Sequence, residues 1–394
     1  MNRRHFISSS IVSSVAYNAI ANAQGAAKMR VGVIGHTGRG NFGHGLDTMW
    51  RDIPETEIVA VADADEKGLA AELKKLKVEK GFADYRKMLT ETKPEIVSIG
   101  PRHVDQHRDM ALAAIEAGVK GIYMEKPFCR TLAEADEIIA AANKTGTKIA
   151  LAHRNRYHPV MPHVVQLMKD GAIGKVLEYR ARGKEDARGG SLDMWVLGSH
   201  LFNLMHFFMG EPQAVSALVL KNGAPITKAD IEEGAEGLGP LAGNEVHARF
   251  EMQNALPGFF DSVQNSGSKA AGFGIQIIGT EGIIDLRTDA EPAAQILAGS
   301  PFGPNNKPRT WVPITTGGVG KPEPIKEIRL LTAGHVAPGR DLIAAIKENR
   351  APLCSAEDAR VILEMTMGVF ESHRLNGQRV TLPLKDRGHP LAKL

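Results

Sequence analysis

The feature that most constrains this chain is a short apolar strand running straight into a glycine-rich turn. Arg30-Val31-Gly32-Val33-Ile34 is followed at once by Gly35-His36-Thr37-Gly38-Arg39-Gly40-Asn41-Phe42-Gly43. Glycines at such a turn let backbone N–H groups approach a diphosphate, and a helix opening behind them adds favourable electrostatics. Gly38-x-Gly40-x-x-Gly43 satisfies the dinucleotide string literally. The register that starts at Gly35 sits directly against the strand, with Thr37 at the second glycine position, and we adopt it. His36, Thr37, Gly38 and Arg39 then lie beside the diphosphate, and an amphipathic stretch near Gly45–Trp50 reads as the helix.

Alone, the string is weak evidence. It gains weight because strand and helix patterns alternate to about residue 152. EIVAVA (57–62), EIVSI (95–99), 121–124 and 148–152 read as strands; 66–76, 105–117 and 131–144 read as helices. Thr131-Leu132-Ala133-Glu134 is a capping-box pattern, and Gly118 and Gly146 sit at helix C-termini. Such alternation predicts a doubly wound parallel sheet. Beyond residue 153 the strand-like segments 176–181, 215–220, 245–252 and 274–278 mostly lack crossover helices. They predict an α+β domain with an open, largely antiparallel sheet. The Gly- and Pro-rich stretch 296–326 reads as a long loop, and two helices, about 339–348 and 355–374, close the chain. The expected organisation is a leader over 1–28, a nucleotide domain over 29–152 and a substrate domain over 153–394.

Asp63 ends the second strand, at a longer interval from Gly35 than the usual ~20 residues. A carboxylate there accepts hydrogen bonds from the adenosine ribose and repels a 2′-phosphate, which favours NAD over NADP; the plainer reading is an acid that ends a strand. Tyr123-Met124-Glu125-Lys126-Pro127 ends another strand, and ligands of parallel sheets bind at the strands' carboxyl ends. Lys126 there reaches both cofactor and substrate, with Glu125 to hold it.

The order of these motifs resembles the Gfo/Idh/MocA family of sugar oxidoreductases. It runs through the Gly35 turn, Val61-Ala62-Asp63, Phe82-Ala83-Asp84-Tyr85, Ile99-Gly100-Pro101 with His107, and Glu125-Lys126-Pro127. It continues through Arg156-Tyr157-x-Pro159, Gly171-Ala172-Ile173-Gly174, Gly198-x-His200, Gly279-Thr280-Glu281-Gly282 and Ala356-Glu357-Asp358-Ala359-Arg360. The resemblance implies a Rossmann domain, NAD as cofactor, a sugar or glycoside as substrate, and a homo-oligomer formed through the C-terminal sheet. It implies that Lys126 and His200 flank the reacting carbon, Lys126 orienting the hydroxyl and His200 taking its proton. Pro101 and His103 join the cofactor set. Arg156, Tyr157, Arg188, Asp193 and Trp195 form the substrate set. Family members commonly carry Asp four residues before that His and three after it; here those places hold Val196 and Asn203, and Asp193 is a candidate substitute.

Each of these residues has a plainer reading. His200 precedes an apolar run, where a lone His is more often a satisfied core residue. Trp195 serves equally for sugar stacking or core packing, and the Lys184–Gly190 segment equally for a substrate rim or a solvated loop. His206 reads as structural.

Composition excludes several classes. Net charge is +3 over 394 residues, too small and dispersed for a nucleic-acid partner. Cys129 and Cys354 form no Cys-x-x-Cys pair, and His153, His158 and His163 lack the spacing of a metal site. No apolar run approaches the ~20 residues that span a bilayer. Arg3-Arg4, the weakly apolar 7–21 stretch and Ala21-Asn22-Ala23 resemble a twin-arginine export leader cleaved after about Ala23, which implies a periplasmic protein. Two further readings stay open: a redox-assisted glycosidase with internally recycled NAD, and a non-catalytic NAD- or sugar-binding protein.

Overall fold

The computed structural model describes residues 27–266, 273–303 and 308–394. The leader reading falls on residues 1–26, outside the described residues. Six strands, β1 (Met29–Ile34), β2 (Thr56–Ala62), β3 (Gly81–Phe82), β4 (Ile96–Ile99), β5 (Gly121–Met124) and β6 (Lys148–Leu151), form one sheet. Their order is β3-β2-β1-β4-β5-β6 and every pairing is parallel. β4 and β5 are buried along their whole length, as a sheet covered on both faces requires. The order reverses between β1 and β4, so a crevice opens at the carboxyl ends of those strands. Helices Glu66–Leu76, Tyr85–Thr92 and Leu132–Thr145 begin at the side chains of Asp65, Asp84 and Thr131, each accepting from a first-turn N–H.

One expected element is absent. No α-helix follows the glycine turn; the chain runs through turns to a short 3-10 segment, Met49–Asp52. Gly38, Gly40, Gly43 and Gly45 all have positive φ, which a right-handed helix cannot accommodate. A distant segment covers that face instead. Helix Val336–Glu348 buries Val336, Leu342 and Ile343 against Val31, Val33, Leu46, Met49 and Trp50. It thus packs on the nucleotide sheet although it lies near the end of the chain.

The second sheet is mixed and largely antiparallel. Its centre runs Gly282–Arg287, Gly274–Gly279, Val176–Arg182, Pro257–Val263, Glu245–Met252 and Pro212–Lys221. The pairing of Val176–Arg182 with Pro257–Val263 is parallel and its neighbours are antiparallel. Burial alternates along Glu245–Met252 and Pro257–Val263, so one face carries the core and the other is polar. Part of the Gly/Pro-rich stretch extends this sheet rather than looping freely, through Ala294–Ala298, Val312–Thr315 and Gly318–Val319. No helix among the described residues is long and apolar enough to cross a membrane.

Arg156 fastens the two halves together. It is buried, and donates to Asn203 Oδ1 at 3.0 Å, Asn203 O at 2.9 Å, Leu353 O at 3.1 Å and Asp358 Oδ1 at 2.8 Å. Tyr157 beside it donates to Asp341 and accepts from the Cys354 N–H. Both were expected to bind substrate; every partner the structure gives them is internal. Removing one member of a buried pair strands the other charge. Arg156→Ala therefore lowers unfolding free energy by about 3–5 kcal/mol, read from denaturant midpoints. A loss under about 1 kcal/mol would contradict the fastening role.

Candidate functional site

The site forms where β1, β2, β4, β5 and β6 end. At β1, a Cβ on Gly40 would drive into the backbone of Arg102, and one on Gly43 would sit 2.6 Å from Gly100 O. The base of the turn is thus pinned to the loop after β4, and only glycine permits the approach. Gly38, at the tip, has φ +83° and nothing within 4 Å of a Cβ position. A pinned base with a bare, open tip fits a diphosphate laid against backbone N–H groups. His36 Nδ1 meets Gln106, and Arg39 pairs with Asp105 at 2.6 Å. No helix N-terminus stands behind this turn, so the electrostatic help expected from one is absent.

Asp63 is buried. Its carboxylate accepts from Thr37 N at 3.0 Å, Thr37 Oγ1 at 2.7 Å and Asp65 N at 2.9 Å. These bonds give it a visible task, which is to hold the turn against β2. Beyond β4, Pro101 O faces His107 Nε2 at 2.7 Å, while His107 Nδ1 lies 2.8 Å from Pro127 O. His107 so ties the β4 loop to the Glu125-Lys126-Pro127 segment. His103 sits between Arg39 and Arg102, and burial together with Arg39 lowers its pKa.

Glu125 is the buried anion of the site. Burial pushes its carboxyl up, but the hydrogen bond from His44 at 2.5 Å and the charge of Lys126 outweigh this and hold it down to about 2. It also accepts from the N–H of His44 at 3.2 Å and of Lys126 at 2.8 Å. Lys126, equally buried, donates from Nζ to Val196 O at 2.8 Å. Val196 lies in a π-helical turn, Met194–Gly198, that runs into helix Ser199–Met209, which carries His200. Burial and the neighbouring Lys126 hold His200 well below the ordinary histidine range. His200 meets the ring of His153 edge-on, with centroids 5.4 Å apart. His200 Nδ1, His153 Nε2 and Ser199 Oγ are buried and have no partner in the protein.

The other expected substrate residues point inward. Asp193 accepts from Ser262 Oγ at 2.6 Å and Glu185 N at 3.1 Å. Trp195 stacks on His389, from the C-terminal tail, with centroids 6.4 Å apart. Arg188 folds back on Asp186, donating from Nε at 2.9 Å. Asn203, where an acid was considered, is spent on Arg156 and on Cys354 Sγ. His206 contacts Arg156 and Asp358, in line with a structural role.

Four residues were missed. His153 and Arg154 directly follow β6, and the strand-end rule could have flagged them. Arg154 pairs with the exposed Asp289 at 2.6 Å. His44 closes the glycine turn. His335 comes from far along the chain and bonds Tyr123 Oη at 2.6 Å; no sequence signal marks it. Among the described residues no cluster of His, Cys, Asp or Glu is arranged to hold a metal ion.

Burial lowers His153 and His335 to about 3. Protons therefore bind the unfolded chain first. The stability these rings carry is complete above about pH 6.5 and is lost as pH falls toward 3, by up to about 1.4 kcal/mol per unit per ring. Denaturant midpoints between pH 7 and 5 should fall more steeply for the native chain than for a His153→Asn/His335→Asn variant. Parallel curves would contradict the buried, neutral assignment.

The protein-family comparison matches residues 29–153 to the Gfo/Idh/MocA oxidoreductase family's NAD-binding Rossmann fold and residues 166–382 to that family's C-terminal alpha/beta domain. The D-apiose dehydrogenase of Paraburkholderia graminis is 30% identical over 192 residues, 46% of this chain and 51% of that protein. The match therefore spans about half of that relative. The levoglucosan dehydrogenase of Pseudarthrobacter phenanthrenivorans is 24% identical over 274 residues, 63% of this chain and 69% of that protein. In solved structures, levoglucosan dehydrogenase in complex with NADH and levoglucosan superposes with a TM-score of 0.70 at 20% identity, covering 91% of this chain and 100% of that one. An Agrobacterium radiobacter oxidoreductase bound to NAD+, L-tartaric acid and magnesium gives 0.67 at 17%, covering 90% and 98%. With both domains matched in order, this chain belongs to the Gfo/Idh/MocA oxidoreductase family, and its N-terminal half is an NAD-binding Rossmann domain.

Proposed function

We propose that this protein is an NAD-dependent oxidoreductase acting on a hydroxyl of a sugar or glycoside. One observation carries the reading. Lys126, His200 and His153 meet at the mouth of the strand-end crevice, with buried polar atoms that the protein itself leaves unpartnered. Buried polar groups normally find partners, and a polyhydroxylated ligand supplies several at once. The relatives named for apiose and levoglucosan add support for a carbohydrate.

The Gly35–Arg39 turn would hold the diphosphate, the loop after β4 the middle of the cofactor, and Glu125-Lys126 its nicotinamide end. Asp63 sets the turn, and its negative charge disfavours a 2′-phosphate. When bound, NAD supplies an acceptor for the hydride lost from the carbinol carbon. Lys126 and His200 orient the hydroxyl and take up its proton. Because the neighbouring imidazoles are neutral, they add no charge that would oppose proton uptake.

The Arg3-Arg4 leader favours export with the cofactor already held. That in turn favours NAD retained and recycled on the enzyme, as in redox-assisted glycoside cleavage, over release of NADH. The polar outer face of the C-terminal sheet is the surface on which a second copy would pair.

The test is a panel of sugars and glycosides followed by nicotinamide absorbance and by product analysis. Lys126→Ala and His200→Ala should each cut turnover by at least about 100-fold while NAD binding persists. Net oxidation accumulates NADH; an internal cycle cleaves glycosides without accumulating it. A chain that binds NAD and a sugar yet transforms no member of the panel would be a binding protein, and the proposal would fail.

A further inference from the structure

The partner of Lys126 sets its chemistry. We propose that Lys126 works as a free amine: one N–H is donated to Val196 O, and the nitrogen lone pair receives the proton of the substrate hydroxyl. This rests on the oxidoreductase reading above and assigns the proton acceptor within it.

The geometry is unusual for a lysine meant to stay charged. Its Nζ sits on a neutral backbone carbonyl, 2.8 Å away, in the π-helical turn Met194–Gly198. Position 196, which presents that carbonyl, carries a valine and no acid. A carbonyl dipole supports an ammonium less than a carboxylate does, and burial penalises the charged form further. The facing charges divide. Burial outweighs them all and lowers the pKa of Lys126; Glu125 and Glu236 favour the ammonium, while Arg102 and Arg154 oppose it. Glu125 is already engaged by His44 and by the Lys126 backbone N–H. His153 and His200 stand close by as neutral rings. His200, far below its ordinary range, is a weak proton acceptor; its free Nδ1 suits a hydrogen bond better than a transfer.

The step balances. The carbinol C–H bond breaks, and its electron pair leaves as hydride to an oxidised nicotinamide. The O–H bond breaks, its proton joins the Lys126 lone pair, and the oxygen's electrons close the carbonyl. The products are a ketone or lactone, the reduced nicotinamide and a Lys126 ammonium.

The experiment is a pH titration of the full chain carrying [ε-13C]lysine, read by carbon NMR. The Lys126 signal is identified by its loss in Lys126→Arg. This signal should titrate below every surface lysine, and Val196→Asp should return it to the surface group. A Lys126 signal titrating with or above the surface lysines in the native chain would overturn the inference. A second arm uses levoglucosan as probe. Where the native chain oxidises it, Lys126→Arg, which keeps the charge but cannot accept the proton, should lose more than about 100-fold in kcat; turnover within about tenfold would also overturn it. The titration needs neither substrate nor cofactor. It therefore decides the state of Lys126 even if the oxidoreductase reading fails for want of any turnover.

Discussion

The Glu125 carboxylate is the constraint around which the site is built. It is buried, ionised, and bonded to the backbone and ring of His44 and to the backbone of Lys126. Those bonds hold the end of the glycine turn against the end of β5. They hold Lys126 as well, whose side chain then reaches across to Val196 O in the second half. An isolated buried carboxylate is costly, so its partners cannot be removed singly without stranding charge. His107, bridging the loops after β4 and β5, braces the same segment from behind.

That constraint divides the labour between the halves. The nucleotide half supplies the turn, Asp63 and Lys126. The second half supplies the π-helical turn with Val196 O, and His200. Arg156 fixes their relative position by binding helix Ser199–Met209 and Asp358 together. The C-terminal tail adds a second brace. Arg387 pairs with Asp136 and Glu364, and His389 stacks on Trp195 at the start of the π-helical turn. The expected substrate residues Arg156 and Trp195 thus act on the site through the framework that positions it.

The parallel sheet and the position of Lys126 were legible because they rest on local patterns: alternating strands and helices, and a motif at a strand end. The helix after β1 was misread because its amphipathic spacing was visible while the positive φ of four glycines was not. Arg156, Tyr157, Asp193 and Trp195 looked like ligand residues because they are polar or aromatic near the right motifs. Their true partners, Asp358, Cys354, Ser262 and His389, lie far along the chain, and pairings at such separation leave no local signature. His335 was invisible for the same reason. Export rests on residues 1–26 and stays an expectation from sequence alone.

At the centre stands the transfer of a carbinol hydrogen to a nicotinamide held at the Glu125–Lys126 corner. The direct measurement uses sugars deuterated at each carbinol carbon in turn, with mass spectrometry of the nucleotide recovered from the protein. Deuterium is expected in the nicotinamide ring from one labelled position, and none from the Lys126→Ala variant. No deuterium in the nucleotide from any position, with NAD bound and the sugar consumed, would contradict the transfer.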